Sequence, residues 1–178
     1  GDGEFNLCFG ESIVFQNQNP HLRKRLLQIL KHPGQKCLVC IPKLQKGDTF
    51  FWDRYWRFAL PKIVTLLNQS YSYGNMGVSR QLTINQIQSL SKTWQNHHVL
   101  FIFGKDSRFN IESDLFSNVT SKNILLGKPE NAYEEYDYLL ESAKTQLKVM
   151  EEPKLAILSL GPPATVLAWD LAESGFRA

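Results

Sequence analysis

The chain has 178 residues, 43% of them hydrophobic, enough to bury one sizeable core and pointing to a single domain. Its net charge of +3 is mild, and its Lys and Arg residues are scattered rather than gathered in a stripe, which argues against nucleic acid as the main partner. No apolar run approaches the ~20 residues of a transmembrane segment, the N-terminus opens on acidic and polar residues unlike a secretory leader, and three cysteines suit a reducing compartment, so a cytoplasmic location is expected.

The chain begins on Gly1, Asp2, Gly3 and Glu4. Two carboxylates two residues apart, with a small residue between them, can converge on one hard divalent cation such as Mg²⁺ or Mn²⁺. The same pattern is also common in solvated turns. Phe5 to Phe15 reads as a short helix or a hairpin-like excursion. Asn19 and Pro20 predict a helix through Lys31, with Leu22, Leu26, Leu27, Ile29 and Leu30 inward and Arg23, Lys24, Arg25 and Lys31 on a solvated face. Cys37 to Ile41 reads as a buried strand. Its two cysteines then point to opposite faces, the wrong arrangement for a redox pair or zinc knuckle, and are expected to be buried apolar residues.

Phe51, Trp52, Tyr55, Trp56 and Phe58 form a dense aromatic segment, read as core in preference to a pocket lining. Arg80 closes a glycine-rich polar stretch and has the chemistry to meet a phosphate. Thr83 predicts a helix carrying Ile84, Ile87, Leu90 and Trp94 at helical spacing. His98 to Phe103 is a buried strand ending on Gly104, Lys105, Asp106, Ser107 and Arg108. Asp114 to Phe116 reads as a helical turn and Asn123 to Leu126 as a strand ending at Gly127. Asn131 opens an amphipathic helix with Tyr133, Tyr136, Leu139, Leu140, Ala143 and Leu147 inward.

Leu155 to Leu160 is a charge-free apolar run, the pattern of a strand buried in a parallel sheet. It breaks at Gly161, Pro162 and Pro163. Val166, Leu167, Trp169 and Leu171 then share a helical face with Asp170 and Glu173 opposite, and Gly175 stands at the C-cap. In an open α/β sheet a turn like Gly161 to Thr165 lies at the carboxyl end of the strand, where ligands bind and helix amides attract anions. A plain tight connection is the competing reading. The alternation of strand and helix predicts an α/β, Rossmann-like three-layer fold with a mainly parallel sheet. The dinucleotide fingerprint, the Walker A loop and G-x-S-x-G are all absent from the sequence.

Several stretches in one order resemble the bacterial glycosyltransferases of the GT-D fold, a group long carried as a domain of unknown function and known from glycosylation of serine-rich adhesins. They are GDGEF at Gly1 to Phe5, FQ at Phe15 and Gln16, YGN at Tyr73 to Asn75, Ser79 with Arg80, GKDSR at Gly104 to Arg108, and SDLF at Ser113 to Phe116. PENAYEEYD at Pro129 to Asp137 and LGPPATVLAWDL at Leu160 to Leu171 complete the set.

The resemblance implies one glycosyltransferase domain over residues 1–178, truncated at both ends, which moves a hexose from a UDP-sugar to a hydroxyl of a glycan or glycoprotein acceptor. It implies Mn²⁺, or Mg²⁺, held by Asp2 and Glu4 of a D-x-E motif. Gly3, Gly161, Pro162, Ala164 and Thr165 then lie against the nucleotide-sugar, and Arg80, Gly104, Lys105, Ser107 and Arg108 neutralise phosphate or orient the donor. Glu11, Asp106 and Asp114 are candidates for a catalytic base by residue type alone. The family's Asp-Ile-Gly-His segment is expected beyond Ala178. The alternative is a catalytically impaired nucleotide-binding or protein-interaction module of the same fold, and a weaker third reading is another metal-assisted phosphoester enzyme.

Overall fold

The computed structural model describes residues 2–41, 59, 61–76 and 83–178. The aromatic segment from Phe51 to Phe58 and Arg80 lie outside the described residues.

Helix α1 is Asp2–Phe9 and α2 is Pro20–Lys31. Between them the chain makes both structures that the sequence left open, because after α1 a tight turn is closed by an antiparallel bridge between Ile13 and Gln16. Helix α2 starts where expected: the Asn19 side chain accepts from the amides of His21 and Leu22, with Pro20 at the first helical position. Strands β1 (Cys40–Ile41) and β2 (Gly74–Asn75) form a short parallel pair. Helix α3 is Ile84–Ser91, opened by a capping box between Thr83 and Gln86. Then follow β3 (His98–Gly104), β4 (Ser121–Gly127), α4 (Tyr136–Val149), β5 (Lys154–Ser159) and α5 (Pro162–Glu173).

The central sheet has the order β4-β3-β5 with every pairing parallel. Successive side chains on a strand point to opposite faces, so β3 feeds two cores. Leu100 and Ile102 join Leu125 and Ala156 beneath α2, α4 and α5, where Leu22, Leu26, Leu139, Leu147, Val166 and Leu171 are buried. Val99 and Phe101 point the other way, into a smaller aromatic core with Trp94 and Phe116. The result is a mixed α/β fold with parallel sheets.

Three sequence expectations are corrected. Cys37 to Ile41 is not a buried strand: only Cys40–Ile41 pairs, Leu38 is 70% exposed, Cys40 is exposed and Cys37 half-buried. The segment borders an open cleft rather than the central sheet, so among the described residues nothing covers its apolar side chains on one side. Ile84 and Ile87 of α3 face solvent, at 75% and 39% exposure, although they recur at helical spacing. Arg25 and Asp170 are not on solvated faces. Arg25 Nη2 meets Asp170 Oδ1 at 2.5 Å, joining α2 to α5, and the Tyr136 hydroxyl of α4 donates to the other oxygen of the same carboxylate.

Candidate functional site

Parallel strands put all their carboxyl ends on one edge, so the loops after β3, β4 and β5 emerge together. Phe103 pairs with Ser159 and Gly104 with Gly127, which places the segment 104–108, the segment 127–129 and the turn at Gly161 side by side. Gly104 has little room above it: a Cβ there would stand 3.1 Å from the Lys128 carbonyl oxygen. Lys105 to Arg108 are exposed beyond it, and Lys105 is tied to the neighbouring strand by its amide, which donates to the Gly127 carbonyl at 2.8 Å.

The turn into α5 is built on Gly161, whose φ of 64° and ψ of −148° belong to glycine alone. The prolines that follow suit a helix start but carry no amide hydrogen, and the Ala164 amide donates back to the Gly161 carbonyl at 2.9 Å. The helix end therefore offers an anion fewer donors than a proline-free turn. Its polar contribution passes to Thr165, and that hydroxyl donates to Glu4 Oε1 at 3.0 Å.

This contact joins the first and last of the sequence-predicted site elements. Asp2, Gly3 and Glu4 occupy the first turn of α1, and the Cβ that Gly3 lacks would stand 3.2 Å from Ile13 Cδ1 and 3.4 Å from Pro162 Cγ. Gly3 thus lets α1 approach the α5 turn. Burial alone drives the Glu4 carboxyl upward. Hydrogen bonds from the Glu4 amide and the Thr165 hydroxyl act the other way and favour the carboxylate. Two residues along a helix are turned about 200° apart, so Asp2 and Glu4 leave the α1 axis in different directions. Among the described residues, no group of three or more His, Cys, Asp or Glu side chains lies close enough to hold a metal.

Glu4 and Thr165 stand at one end of a cleft of about 790 Å³. Its walls are Phe5, Leu26, Ile29 and Leu30 on one side, Lys36 to Ile41 on another, and Trp169, Phe176 and Arg177 on the third. Sequence reasoning missed the part played by 36–41 because its apolar run looked like core. The loop at Lys105 to Arg108 does not line this cleft. The structure thus brings Gly3 and Glu4 to Pro162 and Thr165, leaves Asp2 turned to another side of the same helical turn, and sets the 104–108 loop farther along the same sheet edge.

A parallel α/β sheet with a carboxylate and a glycine turn assembled at its carboxyl edge defines a class of ligand-binding α/β proteins. The particular family follows from comparison: over residues 1–178 the chain matches the family described as Glycosyltransferase GT-D fold, and it belongs to that family. It is 26% identical over 194 residues to the probable glycosyl transferase Gly of Streptococcus gordonii, covering 100% of this chain and 28% of that protein. To glycosyltransferase GlyD of Streptococcus pneumoniae serotype 4 it is 25% identical over 193 residues, covering 99% of this chain and 23% of that one. The chain therefore spans about a quarter of the length of these curated relatives. Among solved structures it is similar to a new glycosyltransferase from Streptococcus sanguinis, with a TM-score of 0.88, 27% identity and coverage of 100% and 71% of the two chains. Another, described as a highly conserved domain of unknown function with a distinct glycosyltransferase fold, gives a TM-score of 0.87 at 31% identity, covering 100% and 68%.

Proposed function

We propose that this chain is the catalytic domain of a metal-dependent glycosyltransferase on a Rossmann-like three-layer scaffold, moving a hexose from a UDP-sugar to a hydroxyl of a glycan or glycoprotein acceptor. The observation that carries this reading is the Glu4–Thr165 contact, which fastens the D-x-E turn to the glycine turn at the carboxyl edge of a parallel sheet.

The residues present suit a hard cation. Glu4 presents one carboxylate fixed by the Thr165 hydroxyl, and Asp2 lies in the same helical turn. Mg²⁺ and Mn²⁺ commonly take one or two protein carboxylates and fill their remaining positions with phosphate oxygens and water, so a site with few protein ligands fits. When bound, the cation neutralises the diphosphate of the donor and the charge that develops as the sugar leaves. In this reading Thr165 fixes the Glu4 carboxylate, Gly161 keeps the backbone free of a side chain where the nucleotide-sugar lies, Gly3 lets α1 approach that turn, and Lys105, Ser107 and Arg108 face its phosphates.

Calorimetric titration with UDP in Mn²⁺, in chelator, and in the Asp2→Asn and Glu4→Gln variants tests the proposal. Binding that needs both the metal and the carboxylates is the expected result, followed by slow metal-dependent hydrolysis of the UDP-sugar. Equal binding in all conditions removes Asp2 and Glu4 from the metal site. Metal-dependent binding without hydrolysis favours a catalytically impaired module.

A further inference from the structure

The turn after α1 has no part in the metal and donor sites just described, yet it is firmly tied in place beside them. Its backbone bridges Ile13 to Gln16 in both directions, at 3.0 and 3.2 Å. Gln16 is only 3% exposed, and its Oε1 accepts from the Tyr133 amide at 3.4 Å. Asn131, held in the left-handed region at φ 53°, donates its amide to the Phe15 carbonyl at 2.9 Å and accepts from the Asn17 amide at 2.7 Å. All these bonds use backbone atoms or Gln16 and Asn131 side chains. The Val14 and Phe15 side chains take part in none of them and stand 84% and 65% exposed.

Position gives this exposure its meaning. The turn is pinned from one side by the segment that follows β4, at the carboxyl edge of the sheet. On its other side Ile13 packs over Gly3, where Pro162 of the α5 turn also sits. Val14 and Phe15 are therefore held at the rim of the proposed donor site by a frame that leaves them little freedom to fold back into a core. An aromatic ring presented on a fixed backbone offers a flat apolar face, and the C–H face of a pyranose is the complementary surface. An isolated pair of exposed apolar side chains needs no explanation on most surfaces, but this one is locked in place beside a ligand site.

We propose that Val14 and Phe15 form the platform on which the acceptor sugar ring lies while its hydroxyl is presented to the donor. The inference rests on the transferase reading and adds a specificity-determining element to it. Its test is saturation-transfer NMR with methyl β-glucoside, methyl β-galactoside and methyl N-acetyl-β-glucosaminide, each in the presence of UDP and Mn²⁺, with UDP calorimetry alongside. The wild-type protein is expected to transfer saturation to the ring C–H protons of at least one glycoside. Phe15→Ala should reduce that transfer about five-fold, as loss of one aromatic contact implies, while Phe15→Tyr retains it and both variants bind UDP as the wild type does. UDP binding with equal glycoside transfer in wild type and Phe15→Ala overturns the platform and leaves the transferase reading intact. UDP binding with no transfer to any of the three does the same. Failure of the wild-type protein to bind UDP at all overturns the donor reading and the platform with it.

Discussion

Thr165 and Glu4 are 161 residues apart in sequence, and the hydroxyl of one donates to the carboxylate of the other at 3.0 Å. That bond connects the start of α1 to the first turn of α5, so the same contact that positions the candidate metal ligand also closes the fold. A hydrogen bond to a charged group contributes about 1.5–3 kcal/mol, and a buried carboxylate that loses its donor pays the desolvation cost in full. Thr165→Val is therefore expected to lower unfolding free energy by about 2 kcal/mol in urea and to weaken UDP binding, whereas Thr165→Ser changes both little. A Ser variant that loses stability and UDP binding beside a Val variant that keeps them would show that the methyl group, not the hydroxyl, is what matters at this position.

Asp170 is the junction of a second network. It accepts from Arg25 and Tyr136 at once, and Arg25 lies over the Trp169 ring at 5.6 Å from its centroid. The two charged side chains are 28% and 16% exposed, so the pair is mostly shielded from water. Removing one partner of such a pair strands the other charge, while replacing both by apolar groups of similar size is often close to neutral. Asp170→Leu and Arg25→Met are each expected to cost about 2–4 kcal/mol, and the double variant clearly less than the sum of the two. Urea denaturation of the four proteins checks this. Burial, then the hydrogen bond to Asp170, raises the Tyr136 phenol far above its ordinary value, so in an alkaline ultraviolet titration Tyr136 should be among the last tyrosines to ionise.

How much of this was legible in the sequence depends on what each element needs to reveal itself. Strands β3, β4 and β5 announce themselves because they are apolar runs that stop at a glycine, and the helices at Pro20 and Pro162 because their caps and prolines are local. The Glu4–Thr165 meeting could be anticipated only through family resemblance, since nothing local in Gly1 to Glu4 points to a partner so far along the chain. Arg25 and Asp170 were misread for a related reason. A charge opposite an apolar stripe normally faces water, and its burial here follows from the packing of α2 against α5, a tertiary fact with no signature in either helix. Leu38 and its neighbours failed in the opposite sense, as an apolar run that lines an open cleft.

Cys8, Cys37 and Cys40 all border the cleft, but they differ in exposure. Cys8 is 4% exposed, and burial, followed by the nearby Glu4 charge, pushes its thiol up to about 11. Its folded-state value lies above the ~8.5 of an unfolded thiol, so the folded protein keeps a proton that the unfolded chain gives up. The associated stability is fully present below about pH 8.5 and declines as pH rises toward 11, amounting to about 2–3 kcal/mol. Cys8→Ala should flatten the loss of stability over that alkaline window. In native protein at pH 8 a thiol reagent is expected to label Cys40 first and Cys8 last, with Cys8 reacting only at the rate of unfolding.

Gly161 provides a test of strain separated from crowding. A Cβ built on it meets no atom within 4 Å, so Gly161→Ala creates no clash. The cost comes from the backbone alone, because φ 64° with ψ −148° is a region that residues with a side chain enter only at about 1–3 kcal/mol. Gly3→Ala is the converse, a helical position with ordinary φ whose new methyl would press on Ile13 and Pro162 at 3.2 and 3.4 Å. Gly161→Ala is expected to destabilise by about 1–3 kcal/mol and to disturb Thr165, weakening UDP binding together with stability. Gly3→Ala should change stability less, since it gains helix propensity as it loses fit, but should displace the turn at Ile13 and Gln16. Chemical-shift changes at the Phe15, Gln16 and Asn131 amides in Gly3→Ala, with none of comparable size in Gly161→Ala, would show that Gly3 sets how closely that turn approaches the glycine turn at the head of α5.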